Sequence, residues 1–245
     1  MIAQSDIQGH WVRDWIKAPG FQDHDTRVHW IQVGADYADI RIPADRPDLR
    51  DAGALADLPA SALTVLARAQ GFAGRITLQG AHCTWQREIN WHGTPDAPDV
   101  GAISFDAQGR MIEAGVHEDY TERWVRHTAP DPRYLRFAGH GYTGRVASIG
   151  ETAVIGIGRI GKPATAPLIA ALARGDIPDG IDTLFDGLHA LGHWSGDSLI
   201  ADLATQPFAE GTPVLTVQGD AVIWHEIGFD GTRRDLLLNP DPVPA

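Results

Sequence analysis

Alternation with a period of two limits this chain more than any other feature. Apolar and polar residues alternate in short runs through the first half, and turn residues bound each run. The runs are residues 10–16, 26–33, 37–42, 72–79, 82–91, 100–105, 111–116 and 120–127. Between them lie Pro19-Gly20, Gly34 to Asp36, Gly80, Gly93 to Pro98 and Gln108-Gly109, all residues that favour turns. Eight short strands with tight connections predict an antiparallel meander that closes on itself. One long connection interrupts them, and Leu63, Leu66 and Ala67 at helical spacing predict a short helix over 61–70, ended by Gly71.

The segment Ala129-Pro130-Asp131-Pro132 marks a boundary, because two prolines withdraw backbone donors. Beyond it the pattern resumes, with strands expected at 134–138, 143–149, 152–160, 198–204, 213–218, 221–229 and 234–238. Helices are expected at 164–173 and 181–191, with a frayed Pro-rich tail from Asn239. The fold class is therefore mainly β: antiparallel barrels, two in tandem with short inserted helices, divided as residues 1–128 and 133–245. Both halves insert a helical connection, which hints at duplication, but no residue-by-residue repeat is visible.

The two faces of a strand can be weighed against each other. In 82–91 the even positions His82, Thr84, Gln86, Glu88 and Asn90 are polar and expected in water. Cys83, Trp85, Arg87, Ile89 and Trp91 then point inward. In 120–127 the aromatic face carries Tyr120, Glu122, Trp124 and Arg126 inward. Residues 37–42 set Tyr37, Asp39 and Arg41 against Ala38, Ile40 and Ile42, so the inward face depends on whether the barrel holds a polar cavity. For 26–33, neither the Arg27, His29 and Ile31 face nor the Val28, Trp30 and Gln32 face prevails.

Inward charges are costly unless paired. An Arg87–Glu122 pair could close one barrel end as a plug, or a guanidinium could meet a carboxylate or carbonyl of a small ligand in a tryptophan-walled cavity. The candidate binding residues are Trp30, Tyr37, Asp39, Arg41, Trp85, Arg87, Trp124 and Arg126. Glu122 is the candidate general acid or base, and His29 a second proton carrier.

Several of these stretches resemble the Hri-type proteins, a fungal family with bacterial relatives. The likeness lies in Thr26-Arg27-Val28-His29-Trp30-Ile31-Gln32, Tyr37-Ala38-Asp39-Ile40-Arg41-Ile42-Pro43 and Gly71-Phe72-Ala73-Gly74. It continues in Cys83-Thr84-Trp85-Gln86-Arg87, Asp99-Val100-Gly101 and Tyr120-Thr121-Glu122-Arg123-Trp124, covering residues 10–127. The resemblance implies lipocalin-like (calycin) barrels and no established reaction or catalytic residues.

Composition narrows the partners. The formal net charge of −12 repels phosphate backbones and anionic lipid, so neither nucleic acid nor a membrane is expected as a partner. Cys83 is the sole cysteine, no signal-like N-terminus is seen and no run reaches membrane-spanning length, so the expected compartment is the cytoplasm.

Other motifs carry less. His189 and His193, four apart on an expected helix, could form a metal pair, but no third ligand is near and no metal is expected. His225 and Glu226 fall on opposite faces of a strand. Gly156-Ile-Gly158-Arg-Ile-Gly161 has dinucleotide-fingerprint spacing, yet it lacks the following parallel strand, and glycines in a strand more often permit close packing, so no cofactor is expected. Cys83 lacks a catalytic setting, and no nucleophile elbow or phosphate loop occurs. Three functions remain: a small-molecule-binding lipocalin-like protein, a metal-independent lyase, isomerase or hydrolase using the same cavity, and an interaction scaffold. The ligand's identity and the oligomeric state are not legible.

Overall fold

Every alternating run of the first half becomes a strand. The structure, a computed structural model, describes residues 2–47, 49, 51–93 and 99–241. A short helix α1 (Gln4–Ile7) leads into β1 (Gly9–Ala18), β2 (Phe21–Asp23), β3 (Arg27–Val33) and β4 (Asp36–Ile42). After α2 (Ala60–Leu66) come β5 (Gln70–Gln79), β6 (His82–Asn90), β7 (Asp99–Phe105), β8 (Met111–Gly115) and β9 (Thr121–His127). Neighbouring strands pair antiparallel, and β1 pairs with β9 to close an eight-stranded barrel, with β2 as an extra ribbon on β1. Tight hairpins set the register. At Gly34-Ala35 and Gly150-Glu151, for example, a glycine with φ of 56° and 59° opens a two-residue turn that matches the strand twist. The expected turn through Pro98 lies, beyond Gly93, outside the described residues, as does the tail from residue 242.

The second barrel uses β10 (Pro132–Gly139), β11 (Tyr142–Ile149), β12 (Thr152–Arg159), α3 (Ala166–Ala173) and β13 (Leu188–Ser195). It continues with β14 (Ser198–Ala204), β15 (Pro213–Gln218), β16 (Ala221–Ile227) and β17 (Arg233–Pro240). Proline stands at the first position of β10, where its missing donor costs least. The expected helix at 181–191 is corrected: a 3-10 turn spans Ile181–Phe185, and strand β13 begins at Leu188. The tail is corrected too. Pro240 and Asn239 pair with Phe137 and Ala138, which closes the barrel.

Both barrels place their helical connection after the third barrel strand, at 43–69 and 160–187. The two connections pack together through Leu63 and Leu66 on α2 with Leu172 on α3, around Trp91, Leu184 and Phe185. The barrels have separate cores, and a further apolar layer lies between them. There Ile31, Ala38, Ile40, Ile42, Ala73 and Ile89 meet Ala147, Ile149, Val154 and Leu203.

Glycines bring the two walls close. A Cβ on Gly158 would lie 2.8 Å from Ile89 Cγ2, and one on Gly156 would lie 2.8 Å from His189 Cε1. The fingerprint-like glycines are thus packing residues. The expected helical His189/His193 pair is also corrected: both sit on strand β13, His189 buried against the first barrel and His193 exposed beside Asp202 at 3.0 Å.

Candidate functional site: a polar, tryptophan-walled barrel mouth

The first barrel is apolar at one end and charged at the other. Trp11, Trp30, Trp85 and Trp124 fill its centre. Trp30 meets Trp85 and Trp124 edge-on, each at 5.8 Å between ring centroids. Trp11 closes the lower end, where its indole N–H donates to the Ile7 carbonyl at 2.7 Å. Trp85 and Trp124 are buried while Gln86 and Glu88 are exposed, as their strand faces predict.

Beyond the tryptophans, arginines and carboxylates face one another. Arg13 donates to Glu122 Oε1 at 2.7 Å and to Asp23 Oδ2 at 2.8 Å. Arg41 Nε donates to Asp39 Oδ1 at 3.1 Å, and its Nη1 lies 3.9 Å from Glu122. Arg87 bonds Asp99, with its guanidinium 3.8 Å from the Phe72 ring centre. The expected Arg87–Glu122 pair does not form, because Asp99 and Arg13, each unread as a partner in the sequence, lie nearer. Burial pushes the Asp39 carboxyl above its ordinary pKa, although Arg41 partly offsets this.

Glu113 is different. It is buried, and among the described residues it has no cation within salt-bridge distance. Its Oε1 accepts the Tyr120 hydroxyl at 2.9 Å. Burial, then repulsion from Glu122 and Asp99, pushes its pKa up to about 8. Glycines make room for this couple. A Cβ on Gly101 would meet Glu113 Cγ at 2.8 Å, and one on Gly115 would meet Tyr120 Cε1 at 2.5 Å.

The barrel opens here onto a cleft of about 570 Å³, lined by Arg41, Phe72, Arg87, Asp99, Glu113 and Glu122, with α3 and the residues before it on the far side. An inner recess of about 20 Å³ continues between Trp30, Tyr37, Trp85 and Trp124. That is room for one water-sized group. The Tyr37 hydroxyl and the indole N–H groups of Trp30 and Trp124, on residues of the recess wall, are buried without a hydrogen-bond partner among the described residues.

Most of the expected binding residues therefore converge: Trp30, Tyr37, Asp39, Arg41, Trp85, Arg87 and Trp124, with Glu122 at the mouth. Two candidates lie elsewhere. His29 is on the outer face, hydrogen-bonded to His10 at 3.0 Å, and burial followed by the Arg27 charge lowers its pKa to about 4. Arg126 is at the closed end, 5.5 Å from the Trp11 ring and bonded to the Asp6 carbonyl at 3.2 Å. Neither reaches the cavity. The period carries each away from it: His29 is one residue out of phase with Trp30, and Arg126 is one repeat past Trp124.

Arg13, Phe72, Asp99 and Glu113 lie outside the strand faces weighed in the sequence, whereas Tyr120 is on the face expected to point inward. Arg13 shares a face with Trp11, and Glu113 shares one with Met111, so the same period-two comparison on those strands carries a signal for both.

No group of three or more His, Cys, Asp or Glu side chains among the described residues is arranged to hold a metal ion. Among those residues no helix is long and apolar enough to cross a membrane.

Comparison with known proteins adds little. No family model matches the chain. No curated protein matches it either. Among solved structures it is similar to the uncharacterized protein YLR301w from Saccharomyces cerevisiae, with a TM-score of 0.47 and 10% identity, over 94% of this chain and 85% of that one.

Proposed function

We propose that the chain is a cytoplasmic, lipocalin-like protein that binds a small organic molecule at the mouth of its first barrel. One observation carries this reading. Three residues that line a recess opening to a cleft, Tyr37, Trp30 and Trp124, carry buried donors that no group among the described residues accepts from. Buried donors are nearly always satisfied, so a water or a ligand atom completes them. The cleft volume suits a small molecule, and aromatic walls with a few convergent polar groups are the usual make-up of such sites.

The test is a thermal-shift screen of small molecules against the wild type and Gln70→Trp, a position that lines the cleft in phase with Phe72. Ligands should raise the melting temperature of the wild type and leave that of the folded variant unchanged. Equal shifts in both would place binding elsewhere and refute the reading.

A second reading rests on the Glu113–Tyr120 couple, since a carboxyl with a pKa of about 8 can hold or release a proton at neutral pH. It makes the same cavity that of a metal-independent lyase, isomerase or hydrolase. Chemical conversion of a bound hit, lost in Glu113→Gln while binding persists, would favour it.

A further inference from the structure

The arginines at the mouth first suggest an anionic ligand, and their pairing removes that suggestion. Arg13 serves Glu122 and Asp23, Arg41 serves Asp39, and Arg87 serves Asp99. An incoming anion would have to displace a carboxylate already held at hydrogen-bond distance. The cleft and the recess are lined by the carboxyl groups of Asp39, Asp99, Glu113, Glu118 and Glu122 and by the guanidinium groups of Arg41 and Arg87, while Arg13 reaches Glu122 from outside the lining. Glu118 is exposed and screened by water, so the buried surplus falls on Glu113, which borders both the cleft and the recess.

We propose that this cavity takes a small organic cation, an amine or amidine on a flat apolar body, with its charge against Glu113 and an acceptor atom in the recess. The proposal rests on the first barrel being a ligand-binding cavity, and names what it binds. The Glu113 carboxylate supplies the counter-charge. The recess donors on Tyr37, Trp30 and Trp124 need an acceptor such as an ether or carbonyl oxygen, and space for one group limits what can enter. The tryptophan rings supply an apolar wall whose faces also attract cations, while the Phe72 face is already covered by Arg87. The net charge of −12 draws cations toward the molecule and repels anions.

Binding is then coupled to a proton. Glu113 is faced by Glu122 on β9, Asp99 on β7, Tyr120 ahead of β9, Arg41 on β4 and Cys83 on β6. With a pKa of about 8 it holds its proton at pH 7, and a cation that requires the carboxylate must expel it. Affinity should rise about tenfold per pH unit between pH 6 and 8, and level off above.

The experiment compares three probes that share one body and one ether acceptor: 4-methoxybenzylamine, 4-methoxybenzyl alcohol and 4-methoxybenzoate. Titration calorimetry in two buffers of different ionisation enthalpy counts the protons released. The amine should bind at least about tenfold more tightly than the alcohol, a difference of about 1.4 kcal/mol, release a proton at pH 7, and follow the stated pH profile. Glu113→Gln should erase the amine's advantage and the proton release while leaving the alcohol unchanged. If that variant does not fold, Tyr120→Phe, which removes a hydrogen bond to the carboxylate, should move the pH profile upward. Tighter binding of the alcohol or benzoate would overturn the cation assignment and keep the cavity. Amine binding indifferent to Glu113→Gln would overturn the role of Glu113. Failure of all three at millimolar concentration, with no change in tryptophan fluorescence, would remove the cavity reading as well.

Discussion

The two barrels share strand number, pairing and the place of their helical insert, yet their interiors are opposite. The second is packed with apolar side chains, among them Phe137, Val146, Ile155, Leu199, Leu215 and Trp224. Tyr142 lies edge-on to Trp224 at 4.9 Å. Its open end carries a cleft of about 710 Å³ whose apolar wall is Leu135, Val146, Trp194 and Val217, and its charged residues Arg133, Glu151 and Asp197 are all exposed. The first barrel spends half its interior on arginines and carboxylates. Buried ion pairs add little net stability, because desolvation opposes their attraction. Packing alone therefore accounts for the second interior, while the first carries, beside its tryptophan core, groups whose retention stability does not explain.

Two substitutions would break this contrast with the largest effects. Trp224→Ala opens a cavity in the second core and should cost about 3–5 kcal/mol in denaturant unfolding. Arg13→Met removes the nearer of the two cations beside buried Glu122, leaving only Arg41 at 3.9 Å, and should cost up to a similar amount, about 3–5 kcal/mol. They part company in their rescue. Adding Glu122→Met to Arg13→Met should recover most of the loss, because an apolar pair replaces an ionic one at little net cost. A double variant as unstable as the single would show that the ionic interior supports the fold after all.

The boundary between the barrels gives a middle-sized effect. Gly156→Val would push a branched side chain into His189 and into Ala73, whose Cβ lies 3.0 Å from the position of the added Cβ. Overpacking of this kind costs about 1–3 kcal/mol. Unchanged stability would mean that the barrels slide freely on one another.

The smallest effect is a slope with pH. Burial lowers the pKa of His10 to about 3, His29 to about 4 and His189 to about 3, from 6.5. Their contribution is complete above pH 6.5 and is lost as pH falls toward 4, because the unfolded chain takes up protons that the folded one refuses. Glu113 acts in the opposite direction. Its contribution is complete below pH 4.5 and is lost as pH rises to about 8. Between pH 4.5 and 6.5 three histidines outweigh one carboxyl, so stability rises with pH there. Stability should therefore peak near pH 6.5. Glu113→Gln should flatten the fall between pH 6.5 and 8, and an unaltered alkaline limb would show that Glu113 does not ionise there.

How far the sequence can be read differs along the chain for physical reasons. The face of β9 is legible because the aromatic Trp124 stands on the face of Glu122, while the opposite face carries Thr121 and Arg123. On β6 the period is interrupted. Gly74 pairs with Arg87 and Ala73 with Ile89, so Glu88 is an extra residue in a bulge. A Cβ at Gly74 would collide with the Gln86 carbonyl, so glycine permits the bulge. Cys83, Trp85 and Arg87 accordingly face inward as expected, while Ile89 turns outward to the second barrel and Trp91 packs under the helical inserts. The expectation that Ile89 and Trp91 enter the first barrel is thereby corrected. The misread helix at 181–191 has a related cause. Its apolar run is buried on both faces once strand β13 is wedged between two layers, and a run apolar on both faces cannot be told from a helix by periodicity.

Taken alone, the sequence determined the antiparallel strands, their turns and the joint between two barrels, because each is set by neighbours within a few positions. Tertiary structure alone decided that both faces of β4 are buried, with Tyr37, Asp39 and Arg41 in the cavity and Ala38, Ile40 and Ile42 against the other barrel. It also decided which arginine meets which carboxylate, and so left Glu113 over. Ion pairs join strands far apart in the chain, as Arg13 and Glu122 are, and no local pattern records which partners closure of a barrel will bring within 2.7 Å.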